Sequence, residues 1–192
     1  MEPGTTALAE RDVITPGSVI AEPWANGLGV TRVLERRLAW RLSVAEIRGS
    51  HRFSTFPGID RLLLVTGDQP LGLMIDGRPH RLKPGEAIEF PGEARVVPAP
   101  TALGATVVNL MTSRALATAR CRRIELTRRR IIRPDEASVT VVLTGEVRLD
   151  GGASLPPGTA LLPSARQRTV TGSGTLAALT ITPQADGPLP WR

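Results

Sequence analysis

Tyrosine is absent from this chain, and the aromatic complement is three Trp and three Phe, five of the six before residue 91. Cysteine is nearly absent as well: Cys121 stands alone, so no intrachain disulfide can form, and a lone thiol fits a reducing compartment. Lysine is reduced to Lys83, so the net charge of +6 is carried almost wholly by arginine. That skew reads as GC-rich codon usage rather than selection for phosphate contacts. No run approaches the roughly 18 apolar residues a membrane span needs. Met1 to Thr6 lacks the basic segment and apolar stretch of a secretory signal. The expectation is a cytoplasmic protein with no membrane partner. Charged residues make up 22% and apolar residues 41%, which disfavours disordered and coiled-coil classes.

The 192 residues suffice for one large β domain or two small ones, and 19 Gly with 17 Pro punctuate the chain too often for long helices. Residues 1–17 end in Thr15-Pro16-Gly17 and read as a loose lead-in. From Trp40 the pattern alternates, with Trp40, Leu42 and Val44 on one side and Arg41, Ser43 and Ala45 on the other. Leu62 to Val65 is a short apolar run, and Asp76-Gly77 between further runs is a hairpin signal. Only Ser113 to Cys121 has a pattern that accommodates a helix. A repeat is also present. Thr66-Gly67-Asp68, Asp76-Gly77, Leu82, Pro84-Gly85, Ala87 and Pro91 are answered in order by Thr144-Gly145-Glu146, Asp150-Gly151, Leu155, Pro157-Gly158, Ala160 and Pro163.

Glycine, a hairpin, then Leu-x-Pro-Gly and a later Pro resembles the cupin barrel, and its duplication resembles a bicupin. Trp24-Ala25-Asn26-Gly27-Leu28-Gly29-Val30-Thr31-Arg32, Trp40 to Ala45, Phe53 to Arg61 and Asn109-Leu110-Met111 resemble, in the same order, the HutD/Ves family. The resemblance covers about residues 18–181. It implies an all-β bicupin: a lead-in over 1–17, a first barrel over 18–111 that holds a ligand, a connector over 112–122, a second barrel over 123–183 and a tail over 184–192.

Cupin enzymes hold a metal with a His-x-His pair, a Glu and a third His, since imidazole and carboxylate suit transition metals. Here only His51 and His80 exist, 29 residues apart, and both read as loop or surface residues. Asp60 resembles the metal-binding Glu in position, while Ser138 takes that place in the second unit. No metal and no cofactor are expected. Neighbours on a strand point to opposite faces, so of Asp60 and Arg61 only one can line the interior. If Arg41, Ser43 and Arg61 face inward with Asn26, the cavity offers guanidinium, hydroxyl and amide groups suited to a carboxylate, with Trp24 and Phe56 as apolar wall. The candidate ligand-binding residues are therefore Trp24, Asn26, Arg41, Ser43, Phe56, Asp60 and Arg61.

Gly27-Leu28-Gly29 has no helix pattern behind it and reads as a turn rather than a phosphate loop. Cys121 lies among Arg120, Arg122 and Arg123, neighbours able to lower a thiol pKa. The arginines from Arg120 to Arg133 include no aromatic to stack on a base, so no nucleic-acid partner is expected. Three readings remain. One is a sensor or regulator that binds a small carboxylate, with a homodimer left open; the resemblance implies histidine utilisation, with urocanate or a formyl or formimino glutamate as ligand. Another is a metal-independent isomerase or hydrolase using Asp60 as acid and base, with no catalytic residue otherwise assigned. The third is a stress-response interaction module.

Overall fold

Alternation of apolar and polar residues becomes strand structure almost throughout, and the chain is all-β apart from one 3₁₀ turn at Pro16–Ser18 among the described residues. The computed structural model describes residues 12–24, 29–100, 103–133, 137–150, 152–163 and 167–184. In chain order the strands are β1 (Val13–Ile14), β2 (Glu22–Pro23), β3 (Gly29–Arg36), β4 (Trp40–Ile47), β5 (Ile59–Thr66), β6 (Leu71–Ile75), β7 (Arg78–Leu82) and β8 (Ala87–Pro91). There follow β9 (Val96–Pro98), β10 (Ala105–Ser113), β11 (Ala117–Leu126), β12 (Arg129–Ile132), β13 (Val139–Leu149), β14 (Ala153–Leu155), β15 (Ala160–Leu161) and β16 (Arg168–Pro183).

Residues 22–113 build a six-stranded sheet, β2-β3-β4-β10-β5-β8, and a three-stranded sheet, β7-β6-β9. The remainder builds a seven-stranded sheet, β1-β15-β13-β16-β11, with β12 beside β16 and β14 beside β13. Strand periodicity then sorts the side chains into three cores. Ile47, Leu63, Val65 and Val107 on one face of the six-stranded sheet pack with Leu71, Leu73 and Val96 of the three-stranded sheet. On its opposite face Leu42, Val44, Leu62, Leu64, Val108 and Leu110 pack against Val139, Val141, Leu143, Ala177 and Leu179. The third core joins Val142, Leu176 and Ala178 to Val147 and Val170 from the other ends of β13 and β16 and to Leu155 of β14, so the seven-stranded sheet folds over on itself. Its corner lies where Gly145 pairs with Gly174.

The repeat read in the sequence is also a repeat of hydrogen bonds. Asp76 and Asp150 both take positive φ, 47° and 49°. The Asp76 N–H donates to Arg95 O at 3.0 Å, and its Oδ1 accepts from the Arg95 N–H at 2.7 Å. Asp150 makes the same pair of bonds with Thr169, at 2.7 and 2.8 Å. Likewise Gly85 N–H donates to Val65 O as Gly158 N–H donates to Val142 O. Gly151, the second residue of the later turn, lies outside the described residues.

Two readings change. Ser113 to Cys121, expected to accommodate a helix, is the end of β10, a short turn and the start of β11. Ala119 and Cys121 pack between the sheets, and that two-residue period is a strand's. Within the lead-in, Val13 and Ile14 pair with Leu161 and Ala160, and Asp12 Oδ2 meets the Arg168 guanidinium at 3.0 Å, so these residues join the seven-stranded sheet.

Candidate functional site

Strands β4, β10 and β5 lie side by side, with Leu42 and Leu62 opposite Leu110. Their register puts Arg41 and Ser43, Asn109 and Met111, and Arg61 on the face that looks into the first core. Towards one end of that core the apolar residues give way to these polar ones around a cavity of about 340 Å³. The loop carrying Arg52, Phe53, Ser54 and Phe56 closes one side, and Glu22, Trp24 and Thr31 close another. The Trp24 ring is fixed by donation from its Nε1 to Thr31 Oγ1 at 2.8 Å. It also lies over Gly29, where a Cβ would come within 2.9 Å of the ring.

Arg61 is the centre of this cavity. It is 6% exposed, and its guanidinium lies over three rings, 5.1 Å from the Phe53 centroid, 5.8 Å from Phe56 and 5.1 Å from Phe90. One amino group donates to Asn109 Oδ1 at 3.1 Å. The Nε of Arg61 has no partner, nor has the Nε of Arg41, whose other donor reaches only the Met111 sulfur at 3.0 Å. No carboxylate pairs with either arginine among the described residues. Burial and then the neighbouring Arg41 hold Arg61 down to about 10, still charged at neutral pH. Burial likewise lowers Arg41, with Arg36 adding to it and Glu22, at the mouth of the cavity lining, partly offsetting both. A buried cation without a counter-ion is costly, and an anion placed between the two guanidinium groups would relieve that cost.

The cavity brings together Trp24, Arg41, Ser43, Phe56 and Arg61. Asn26 lies outside the described residues, as do Gly27 and Leu28. Asp60 does not join them. Strand alternation turns it to the opposite side of β5, where its carboxylate is 55% exposed and accepts from Arg114 at 2.8 Å. The acid-base reading that required Asp60 in the cavity loses its reacting group. Arg114 also binds Glu93 at 3.1 Å, and Glu93 in turn accepts from the Gly58 N–H at 2.7 Å. Phe56 N–H donates to Gly92 O, and Gly92 N–H donates back to Ile59 O. Phe56, one of the cavity's walls, is thus held from outside by a surface cluster.

Sequence reasoning cited Asn109 only for the family resemblance and not as a ligand-binding candidate, although an amide in the middle of Val107-Val108-Asn109-Leu110-Met111, on the same face as Val107 and Met111, was a readable signal. Arg52, Arg114 and Glu93 carried no such signal, because only the fold brings them to their partners. The lining contains no histidine and sets Glu22 alone against Arg41, Arg52 and Arg61. That donor set does not fit the transition metal of cupin enzymes. Among the described residues no three His, Cys, Asp or Glu side chains gather as metal ligands. Cys121 is half-buried; its burial and then the nearby Glu89 push its thiol up, against the lowering its arginine neighbours suggested.

The HutD family model matches residues 18–180. The chain belongs to the HutD family. As a HutD-family chain it is 40% identical over 82 residues to a 21.2 kDa protein in the hutC 3′ region of Pseudomonas putida, an overlap of 38% of this chain and 43% of that protein. It is 34% identical over 100 residues to protein Ves of Citrobacter koseri, 47% of this chain and 52% of that one. These matches span about half the length of each relative. In structure the chain resembles HutD from Pseudomonas fluorescens, determined in a formate condition, with a TM-score of 0.67, 26% identity and coverage of 88% and 97%. Its likeness to a cupin 2 conserved barrel domain protein from Leptotrichia buccalis is one of fold, at a TM-score of 0.57 and 11% identity, covering 90% and 96%. The fold is thus all-β and cupin-like, and a bicupin is consistent with the paired turns at Asp76 and Asp150. No helix among the described residues is long and apolar enough to cross a membrane.

Proposed function

We propose that this protein binds a small carboxylate in the cavity of its first barrel and acts as a sensor or regulator in histidine utilisation. The observation that carries the reading is the buried Arg61 guanidinium, bonded to Asn109, stacked among three phenylalanines and lacking an acidic partner. A carboxylate accepting from Arg61 and Arg41 would satisfy their unbonded Nε groups and neutralise charge in a place where water screens it little. Phe56 and Trp24 would flank the planar part of such a ligand. Urocanate and the formyl and formimino glutamates have the right chemistry: a carboxylate on a body small enough for the cavity. Membership of the HutD family and a relative from a hutC 3′ region support the reading of histidine utilisation.

Calorimetric titration with urocanate and with formylglutamate tests this, on the unaltered protein and on Arg61→Met, which keeps much of the aliphatic stem. A charge-assisted fork is worth about 1.5–3 kcal/mol, so the variant should bind roughly tenfold to a hundredfold more weakly. Its thermal midpoint should hold or rise, because an unpaired buried charge has been removed. A fall in stability with unchanged affinity would make Arg61 a structural residue and end the proposal.

A further inference from the structure

The charges that line the cavity are not arranged for a plain anion. Across β2, β3, β4 and β10, Glu22, Thr31, Ala45 and Val107 stand opposite one another, and residues directly opposite share a face. Arg41, Met111 and Arg61 form another row on that face. From Ala45 to Arg41 is four positions along β4, roughly 13 Å of strand rise, with Ser43 and Asn109 between the rows. Both rows line the one cavity.

The two ends differ in exposure and in sign. Arg61 and Ser43 are buried, whereas Glu22 is exposed and stands at the mouth. Its carboxylate has no hydrogen-bond or ion-pair partner among the described residues, although its charge is felt at Arg41, where it works against burial. Arg52, exposed on the loop that closes another side of the cavity, is likewise without a partner among the described residues.

A ligand that offered a carboxylate alone would leave Glu22 unanswered. One whose far end held an oxygen acceptor would set its lone pairs against a carboxylate. A donor answers Glu22, and a cationic donor answers it best. A second carboxylate on the carbon bearing that nitrogen would turn to Arg52. Three guanidinium groups and one carboxylate are thus complementary to two carboxylates and one cation. That is the charge pattern of an acidic amino acid whose α-nitrogen stays positively charged.

We propose that Glu22 sets the class of the ligand: an acidic amino acid, or a derivative of one, with a cationic α-nitrogen held by Glu22 and its side-chain carboxylate held by Arg61 and Arg41. This rests on the carboxylate reading above and narrows it. Acids of the same size whose α-nitrogen is acylated, and therefore neutral, fit the mouth less well.

Formiminoglutamate and formylglutamate are the probes, because they share both carboxylates and a shape. They differ at one position, where the amidinium of the first has an NH₂ group and the second a carbonyl oxygen. In calorimetric titration of the full chain at pH 7, formiminoglutamate should bind about tenfold more tightly, as a site that bonds an N–H rejects an analogue lacking it. Glu22 lies exposed on a two-residue edge strand, so its variants should keep the parent's thermal midpoint. Glu22→Gln should reduce the preference to about threefold or less, chiefly by weakening formiminoglutamate, and Glu22→Lys should reverse it. Arg61→Met should weaken both probes. Equal affinity of the two probes for the unaltered protein, or a preference that survives Glu22→Lys, would overturn this inference and leave the carboxylate reading standing. Binding of neither probe, nor of urocanate, would end both.

Discussion

Arg61 and Asn109 meet diagonally across β5 and β10: the guanidinium donates to the amide oxygen at 3.1 Å while Asn109 itself stands opposite Leu63. The amide thereby fixes which edge of the guanidinium faces the cavity. Asn109→Leu keeps the volume and removes the acceptor. Affinity for urocanate or formylglutamate should fall by roughly fivefold to tenfold, in line with about 1 kcal/mol for a lost neutral acceptor. Denaturant midpoints should fall as well, in line with about 1–3 kcal/mol for a buried donor left without its acceptor, because Arg61 loses its bond to Asn109. Calorimetry beside urea unfolding separates the two effects, and an unaltered affinity would remove Asn109 from the site.

The surface cluster behind Phe56 has an acid dependence of its own. Glu93 is held down to about 2 by its bonds from Arg114 and from the Gly58 N–H. A carboxylate depressed in the folded state contributes stability that is fully present above its ordinary range and lost as pH falls through about 2. Glu93→Gln should therefore lower the thermal midpoint at pH 7, and the gap between variant and parent should close between about pH 4.5 and 2. Because the turn carrying Phe56 is loosened, ligand dissociation should quicken at neutral pH. Stopped-flow displacement and a pH series of melts check this; a gap that persists at pH 2 would show the carboxylate's charge is not what holds the turn.

How much of this was legible varies with what each residue depends on. Alternation dictated that Asp60 and Arg61 part company, but not which would go inside. That depends on Arg114, more than fifty residues away, offering Asp60 a partner at the surface, while Arg61 gains Asn109 and three rings. The stretch from Ser113 to Cys121 reads poorly because β11 changes buried face along its length. Ala119 and Cys121 face the six-stranded sheet, whereas Ile124 and Leu126 enter the third core, and this breaks a simple period of two. The hairpin turns, by contrast, are local chemistry, and Asp76-Gly77 announces its turn without help from the rest of the chain.

That local chemistry can be measured twice. Asp76→Ala and Asp150→Ala each place an alanine at positive φ and delete one side-chain to backbone bond. Each should cost about 1–3 kcal/mol, combining strain with the lost bond. Asparagine, which tolerates this conformation and keeps an oxygen acceptor, should recover most of it. Guanidinium unfolding of the four variants checks the expectation. Unequal losses at the two turns would mean that the repeat is one of shape and not of energetics.

The corner of the seven-stranded sheet is less forgiving. A Cβ on Gly172 would lie 1.9 Å from Glu146 O, and one on Gly145 would lie 2.1 Å from Ser173 O. Both contacts are with backbone, so neither can be relieved by a side-chain rotation. Gly172→Ala should cost more than about 3 kcal/mol and leave little folded protein. Circular dichroism of the purified variant, or its failure to accumulate, reads the result.

The six-stranded sheet is sandwiched, with Leu42, Leu64 and Leu110 covered by Val141, Leu143 and Leu179, and the Gly67 N–H reaches across to Leu143 O at 2.9 Å. Each half of the chain closes one core of its own, but the core between them needs both, so the turn at 114–116 links two molecules that each leave a sheet face uncovered. Cut there, each fragment would carry an uncovered apolar sheet and would seek the other. The protein is by construction a split pair: fragments ending at Ser113 and beginning at Arg114 should be insoluble or molten apart, and should regain the cavity when mixed.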